Sequence, residues 1–466
     1  MNDAYRSVTF DDIEPGASAE LRRTLSLVDV EALAMVSGDI VPFQLADDAP
    51  LGHGGLQVDA VAAEALVSGL VERKLPGPGS VIVAQELRFD GQVAVGDDIR
   101  VSITVREKHP AERLVVFDCE ACVGEARLLW GRVTVRPPDE RVTVSDVATP
   151  AFILRRTDVF ARLLRRCEPL EAVRCAVVHP CDRESLLGAL EAARRGLIVP
   201  VLVGPEARIR SVAAANGADL GGLRIVPTEH SHAAAAEAVA MARRGDVECL
   251  MKGSLHTEEL MSAVVAGPTG LRTERRVSHV FVMDVPAYDR VLLVTDAAIN
   301  IEPSLPDKAD ILRNAIDLAH VLGIEQPRAA IVCAVATVSP GMRSTVDAAA
   351  LCKMADRGQI TGAVVDGPLA FDNAISEIAA RSKSIRSPVA GRADILLVPD
   401  IEAGNMLAKQ LQYFAGADSA GIVLGARVPV ILTSRADNVR MRIASSAVAK
   451  LIAHSRRAAG AAGAAR

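Results

Sequence analysis

The sequence predicts an α+β domain followed by a larger α/β domain built on a parallel sheet. Two observations carry this. Over residues 1–140 a long helical pattern precedes consecutive alternating segments, which is an α+β arrangement. Over 151–466 short apolar runs alternate with Ala-rich helical stretches, the signature of βαβ units and a parallel sheet. Between them, RPPDERVTVSDVATP at 136–150 holds prolines, charges and no sustained periodicity, and the linker is set at 141–150. At 466 residues one core is too few.

In the first domain, Leu27–Ser37 carries a short helical pattern that ends in Gly38-Asp39. Leu56–Lys74 reads as a longer helix with Val58, Val61, Ala62, Ala65, Leu66 and Leu70 on one face. Antiparallel strands follow at Ile99–Val105, Leu114–Val123 and Leu128–Val135, with Val101, Ile103 and Val105 sharing a face and VGDD at 95–98 as a turn.

In the second domain the strands are Arg174–His179, Leu197–Val203, Leu223–Val226, Cys249–Lys252, Val280–Val285, Val291–Thr295, Ala329–Val335, Ala363–Val365, Ile395–Val398, Gly421–Leu424 and Val428–Thr433. Their ends are polar: His179 with Asp182 and Arg183, Lys252-Gly253-Ser254, Thr295-Asp296, Asp366-Gly367, Asp400, and Ser434-Arg435. One such end is a turn or a helix cap. Six on one rim mark the carboxyl edge where α/β sites form. In VPVILTSRAD (428–437) a hydroxyl beside a guanidinium suits a phosphate or a developing oxyanion, since Arg offers a fork of donors with a permanent charge. A second basic cluster, GLRTERRVSH, carries Arg272, Arg275, Arg276 and His279 and reads as a clamp for a polyanion, with Lys252 nearby.

Composition narrows the classes. Aromatics are 3% of the chain, which argues against stacking platforms for single-stranded nucleic acid, and the net charge of −6 argues against nucleic-acid or membrane-surface partners. Charged residues interrupt every apolar run before membrane-span length, and no secretory signal is read at the start, so a cytoplasmic protein is expected. Eight cysteines lack a disulfide or zinc spacing; Cys119 and Cys122 fall within one alternating strand. No G-x-G-x-x-G follows a strand, and G-x-x-x-x-G-K-[ST], H-E-x-x-H and G-x-S-x-G are absent. No metal-ligand set shows in the spacing, though the strand-end Asp residues have the chemistry to hold magnesium in a cleft.

From about 170 to 456, LMKGSLHT, GLRTERRVSHVFVMD, TDAAINI, DGPLAFDNAIS, VPDIEAGNMLAKQL and VILTSRAD resemble the phosphate acetyl/butyryltransferases. The resemblance implies a two-lobed α/β fold similar to isocitrate and isopropylmalate dehydrogenases. Lobe 1 would span about 151–276 and 419–466, lobe 2 about 277–418, with the site between them. The implied reaction moves a short acyl group, acetyl or butyryl, between coenzyme A and inorganic phosphate, without acyl-enzyme, metal or cofactor. Acyl-CoA, phosphate and acyl phosphate are the implied ligands, and a homodimer or larger homo-oligomer the implied assembly. Ser434 matches the family's transition-state-stabilising Ser, and Arg435 its phosphate- or CoA-binding Arg. The acetyl branch places its base several residues after the Ser, at about Met441 here; Asp437 is the nearest carboxylate, and the S-R-A-D form resembles the butyryl branch. Lys252, Arg272, Arg276 and Asn373 are carried over by motif as CoA- or phosphate-binding residues.

Residues 7–136 resemble the MaoC-like hot-dog domains, in which a long helix is wrapped by an antiparallel sheet. SGDIVPFQL (37–45), LGHGGLQVDA (51–60) and ELRFDGQVAVGD (86–97) carry the resemblance. The family's hydratases use S-G-D-x-N-P-x-H to add water to an enoyl-CoA. Here Asp39 is kept, Val41 replaces the Asn and Gln44 the His; His53 is the nearby imidazole. An amide cannot replace imidazole as acid and base near neutral pH. The leading expectation is therefore a phosphate acyltransferase. The alternatives are an enzyme that also hydrates enoyl-CoA and an acyl-CoA-binding regulatory protein without turnover.

Overall fold

A computed structural model describes residues 5–37, 57–59, 61–144, 159–433 and 439–464. Contacts divide the chain into two compact units, Met1–Leu154 and Arg155–Arg466.

In the first unit a five-stranded antiparallel sheet runs in the order Ser18–Thr24, Asp98–His109, Leu114–Val123, Ala126–Arg136, Val81–Phe89. Successive side chains of a strand alternate faces, so Ile99, Val101, Ile103 and Val105 are buried while Arg100 and Thr104 lie outward. Against that apolar face lies the helix Val61–Arg73, which is the helix-on-sheet arrangement the hot-dog resemblance implies. Two expectations are corrected. The helix starts at Val61 rather than Leu56, because Gln57–Asp59 pairs as a strand with Gln92–Ala94. Its buried face is Ala62, Ala63, Val67, Leu70 and Val71, whereas Val61 and Ala65 are exposed. Apolar spacing over so few residues fits more than one face. The helix Leu27–Ser37 lies where its pattern placed it, with Ser26 and Asp29 bonding each other's amides across its first turn. Inside the stretch assigned to the linker, Thr143–Val144 pairs with Tyr5–Arg6; two residues are too few to show a period.

In the second unit all eleven candidate strands join one sheet. Its order is Ile225–Pro227, Ile198–Gly204, Val173–Val178, Cys249–Lys252, Val430–Ile431, Asp418–Leu424, Ser278–Asp284, Leu292–Thr295, Ile395–Leu397, Arg328–Val332, Val364–Leu369. The expectation of a parallel sheet holds within two blocks and fails between them. The first five strands are mutually parallel, and so are the last four. Asp418–Leu424 and Ser278–Asp284 are antiparallel to both of their neighbours, so the two blocks run in opposite directions.

The register then does something that strand patterns cannot show. Val177 pairs with Met251, Met251 with Ile431, Ile431 with Ile422, Ile422 with Val280, Val280 with Thr295, Thr295 with Leu397, and Leu397 with Ile331. This one row lies at the carboxyl ends of both blocks. The polar ends therefore do not share one rim; they converge on one row from opposite sides. Asp366 is the exception, lying inside Val364–Leu369 and bonding the amide of Gly367.

The C-terminal helix Val439–Ala464 returns to the first block, where Ala447, Val448, Leu451 and Ile452 join Phe160, Leu163, Leu186 and Ala189 in one core. Its Arg457 makes two hydrogen bonds to Glu248.

Gly421 sits at the seam between the blocks. A Cβ there would lie 2.4 Å from the Leu432 carbonyl oxygen and 3.1 Å from His279 Nε2. Gly421→Ala is expected to destabilise the second unit by about 1–3 kcal/mol through overpacking. Chemical denaturation followed by circular dichroism should report the loss, while fluorescence of Trp130, the single Trp and part of the first unit, should keep its midpoint.

Candidate active site

The strand Cys249–Lys252 delivers Lys252 one step past the row. The next turn is clamped to the neighbouring strand's turn. Gly253 N donates to Val178 O, and Ser254 donates to His179 O from both its amide and its Oγ, each at 2.9 Å. Only a glycine allows this approach, since a Cβ on Gly253 would stand 2.3 Å from Val178 O. Ser254 Oγ also accepts from Cys181 N at 3.1 Å. Lys252 is thereby held at the wall of a cavity of about 440 Å³.

The same cavity is lined by His279 and Phe281, two residues apart on one strand and hence on one face. Leu432 and Thr433 border it from the end of Val430–Ile431. Thr433 Oγ1 accepts a 2.9 Å hydrogen bond from the buried Arg442 guanidinium of the C-terminal helix. From the other block, the helix Ile401–Tyr413 adds Asn405 and Lys409, which stand four apart and share a face. Among the described residues no carboxylate lines this cavity, although the chain as a whole is acidic.

A second cleft of about 600 Å³ adjoins the first, with Thr257 and Ala298 lining both. Arg272, Arg275 and Arg276 border it. Arg275 pairs with Asp317, and Arg276 Nε donates to Asn300 Oδ1 at 2.7 Å. Arg272 is exposed and makes no ion pair among the described residues, so its charge is available to a ligand.

The wall common to both cavities is built by Asp296. Its buried carboxylate accepts from the amides of Ala298 (2.9 Å) and Ile299 (3.1 Å) and from Asn300 Nδ2 (2.6 Å). Asn300 Nδ2 donates as well to Val277 O at 2.9 Å. Burial raises the Asp296 carboxyl pKa against the pull of these donors. Asp296 thus shapes the cleft through Asn300 and Arg276, and its oxygens are already occupied.

These two cavities are the setting in which the comparisons with known proteins have meaning. The family model described as "Phosphate acetyl/butaryl transferase" matches residues 231–450. The phosphate acetyltransferase of Rhizobium meliloti is 64% identical over 283 residues, covering 61% of this chain and 90% of that protein. The chain belongs to the phosphate acetyl/butyryltransferase family. The phosphate butyryltransferase of Clostridium beijerinckii is 42% identical over 294 residues, 63% of this chain and 97% of that protein. Among solved structures, a branched-chain phosphotransacylase from Enterococcus faecalis V583 is 30% identical with a TM-score of 0.54, covering 60% of this chain and 99% of that one. As a phosphate acetyl/butyryltransferase the chain is an acyltransferase.

Within this family frame the sequence-derived residues fall into three groups. Lys252 lines the first cavity, and Arg272 and Arg276 line the second. Asn373 lines neither: it is fully buried in the short helix Phe371–Ile375, where Nδ2 contacts Asp372 and Oδ1 accepts from Lys383 Nζ at 3.4 Å. Its motif places it beside the strand end, and in the fold its amide is engaged by these two charged side chains. Ser434, Arg435, Asp437, Asp39, Gln44 and His53 lie outside the described residues. Asp182 and Asp400, which the sequence offers as strand-end polar groups, are helix caps that accept from Ser185 N and Ala403 N at 2.8 Å. Asn405 and Lys409 escape sequence reasoning, although VPDIEAGNMLAKQL contains them; their i, i+4 spacing is the available signal. In the sequence His279 belongs to a basic loop, whereas in the fold it is a buried strand residue.

Burial, with Lys409 nearby, pushes the His279 ring pKa down from 6.5 to about 3. Between these values the native state binds fewer protons than the unfolded chain, so this contribution is complete above pH 6.5 and lost as pH falls toward 3. The loss expected from neutrality down to about pH 5 is about 2 kcal/mol. His279→Gln cannot titrate and should flatten this part of the profile when denaturation midpoints are compared across pH.

Proposed function

We propose that the second unit transfers a short acyl group between coenzyme A and inorganic phosphate across the two adjoining cavities. The carrying observation is the cavity with Lys252 and Lys409, which has no carboxylate among its described lining residues. It ends at Thr433 and so directly precedes Ser434-Arg435 in the chain. Its charge suits a phosphoryl group, and its volume of about 440 Å³ leaves room for a short acyl chain against Phe281 and Leu432. The arginine-lined cleft next to it suits the phosphates of coenzyme A, with Arg272 making no ion pair among the described residues. We read the two opposed blocks as two lobes of the isocitrate and isopropylmalate dehydrogenase type, with the reaction between them.

In the direction that makes the thioester, the CoA thiol loses its proton to a base and the thiolate attacks the acyl carbon. The bond from that carbon to the phosphate oxygen breaks, and phosphate leaves with the electron pair. Charge that builds on the carbonyl oxygen requires a donor, the role assigned to Ser434, while Arg435 and Lys252 balance the phosphate. Asp437 is the proposed base, since the Met441 position has no ionisable group.

The active assembly is proposed to be at least a homodimer. Met406, Tyr413 and Phe414 are exposed on and beside one helix and supply apolar surface for it. Eight free cysteines support a cytoplasmic setting. For the first unit we propose acyl-CoA binding without hydration. Gln44 stands where hydratases of the resembled family have the His, and an amide neither takes nor gives the proton.

Phosphate-dependent release of free thiol from acetyl- and butyryl-CoA is the deciding assay. Arg435→Ala and Lys252→Ala should each lower kcat/KM by roughly 10²–10³-fold. Absence of release by the wild-type protein with every short acyl-CoA would sink the proposal. Crotonyl-CoA should keep its enoyl absorbance at high enzyme concentration; a decay abolished by Asp39→Asn would instead establish hydration by the first unit.

A further inference from the structure

His279 lines the cavity that Thr433 borders, and its ring carries a buried nitrogen that no described residue bonds. His279 is 1% exposed, and its ring Nδ1 has no hydrogen-bond partner among the described residues. Native structures leave few such groups, and each calls for an unfilled partner or a role in chemistry. The backbone of this residue is satisfied, since its carbonyl accepts from Thr295 Oγ1 at 2.8 Å. The ring itself packs edge-on to Phe281, with centroids 4.4 Å apart. A ring needed only as filler would be served by a second apolar side chain without an orphaned nitrogen.

What surrounds the ring identifies the missing partner. The cavity it lines holds Lys252, Lys409, His256 and Asn405, and no carboxylate among the described residues. A small anion with several acceptor oxygens is the ligand such a set admits. Burial and Lys409 keep the ring neutral, so it offers an N–H without adding a further positive charge.

We propose that His279 is a phosphate-binding residue of the transfer reaction, donating a ring N–H to an oxygen of inorganic phosphate or of the phosphoryl group of the acyl phosphate. The proposal rests on the reading of this unit as a phosphate acyltransferase. A neutral donor beside two lysines orients the phosphate and still lets it leave, as a reversible transfer requires. The lone pair of so buried a ring is too weakly basic to take the thiol proton, and His279 does not replace Asp437 as base. The carbonyl oxygen of the acyl group is a second oxyanion within the same chemistry, and the experiment separates the two.

Inorganic phosphate is titrated into the full-length protein labelled with ¹⁵N-histidine, with and without acyl-CoA, and the ring resonance absent from His279→Leu is followed. It should move saturably with phosphate alone. In thiol-release kinetics, His279→Leu should raise KM for phosphate by roughly ten- to thirty-fold, the size of one hydrogen bond to a charged group. KM for acyl-CoA should stay within about twofold. Either His279→Asn or His279→Gln, whichever sets an amide N–H at the donating ring nitrogen, should recover most of the phosphate KM. A ring resonance indifferent to phosphate overturns the proposal. So does a fall in kcat alone, which would assign the ring to the carbonyl oxygen. If the wild-type protein releases no thiol, the acyltransferase reading fails, while the titration still decides whether phosphate meets His279. If His279→Leu does not fold, His279→Gln identifies the resonance, and its response to phosphate supports or overturns the proposal.

Discussion

One row of paired residues across the large sheet governs the rest of this molecule. Strand pairing fixes register, and register here ends both parallel blocks at the same level although they run in opposite directions. The antiparallel strands Asp418–Leu424 and Ser278–Asp284 make this possible, because they join blocks of opposite sense without an unpaired edge. Polar groups that follow one block then face those that follow the other. Lys252 from one side and the Asp296–Asn300 wall from the other come to border adjoining cavities. A shift of one residue in Ser278–Asp284 would turn His279 and Phe281 to the opposite face and dismantle the cavity wall they form.

Electrostatics follows from that geometry. The chain carries more acid than base, yet three acids around the cleft are occupied: Asp296 with three amides and Asn300, Asp400 with a helix start, Asp317 with Arg275; Glu258 lines the cleft as an exposed carboxylate. Lysines and an arginine face the cavities. Positive charge is thereby concentrated at the cavities of a chain whose net charge is −6. The buried acids serve as scaffolding, and the burial that raises the Asp296 pKa also fixes the loop that links the two cavities.

Much of this is legible in the residues. All eleven strands of the large sheet are visible as apolar runs, because strands buried on both faces, such as Val173–Val178 and Leu292–Thr295, have few polar positions to interrupt them. The two-unit division is visible as a change of period. Short or exposed pieces are not: Ser18–Thr24 is largely exposed, and Thr143–Val144 and Gln57–Asp59 are too brief for any periodic signal. Lys252, Arg272 and Arg276 can be picked from their motifs, because charge in a turn after a strand is conspicuous. Asn373 can be picked equally well and is buried outside the lining of both cavities, since a motif records a position along the chain and not what surrounds a side chain.

By itself, then, the sequence determined the elements, the two units, the family and the chemical types able to handle phosphate and thioester. The tertiary structure alone decided which of them meet. Strand direction and register depend on pairings between residues far apart in the chain, such as Val280 with Ile422 and Thr295, and no local pattern encodes them. For the same reason His279 looks like the end of a basic loop in the sequence. It becomes a buried ring in a cationic cavity only once Lys409 arrives from a helix 130 positions later.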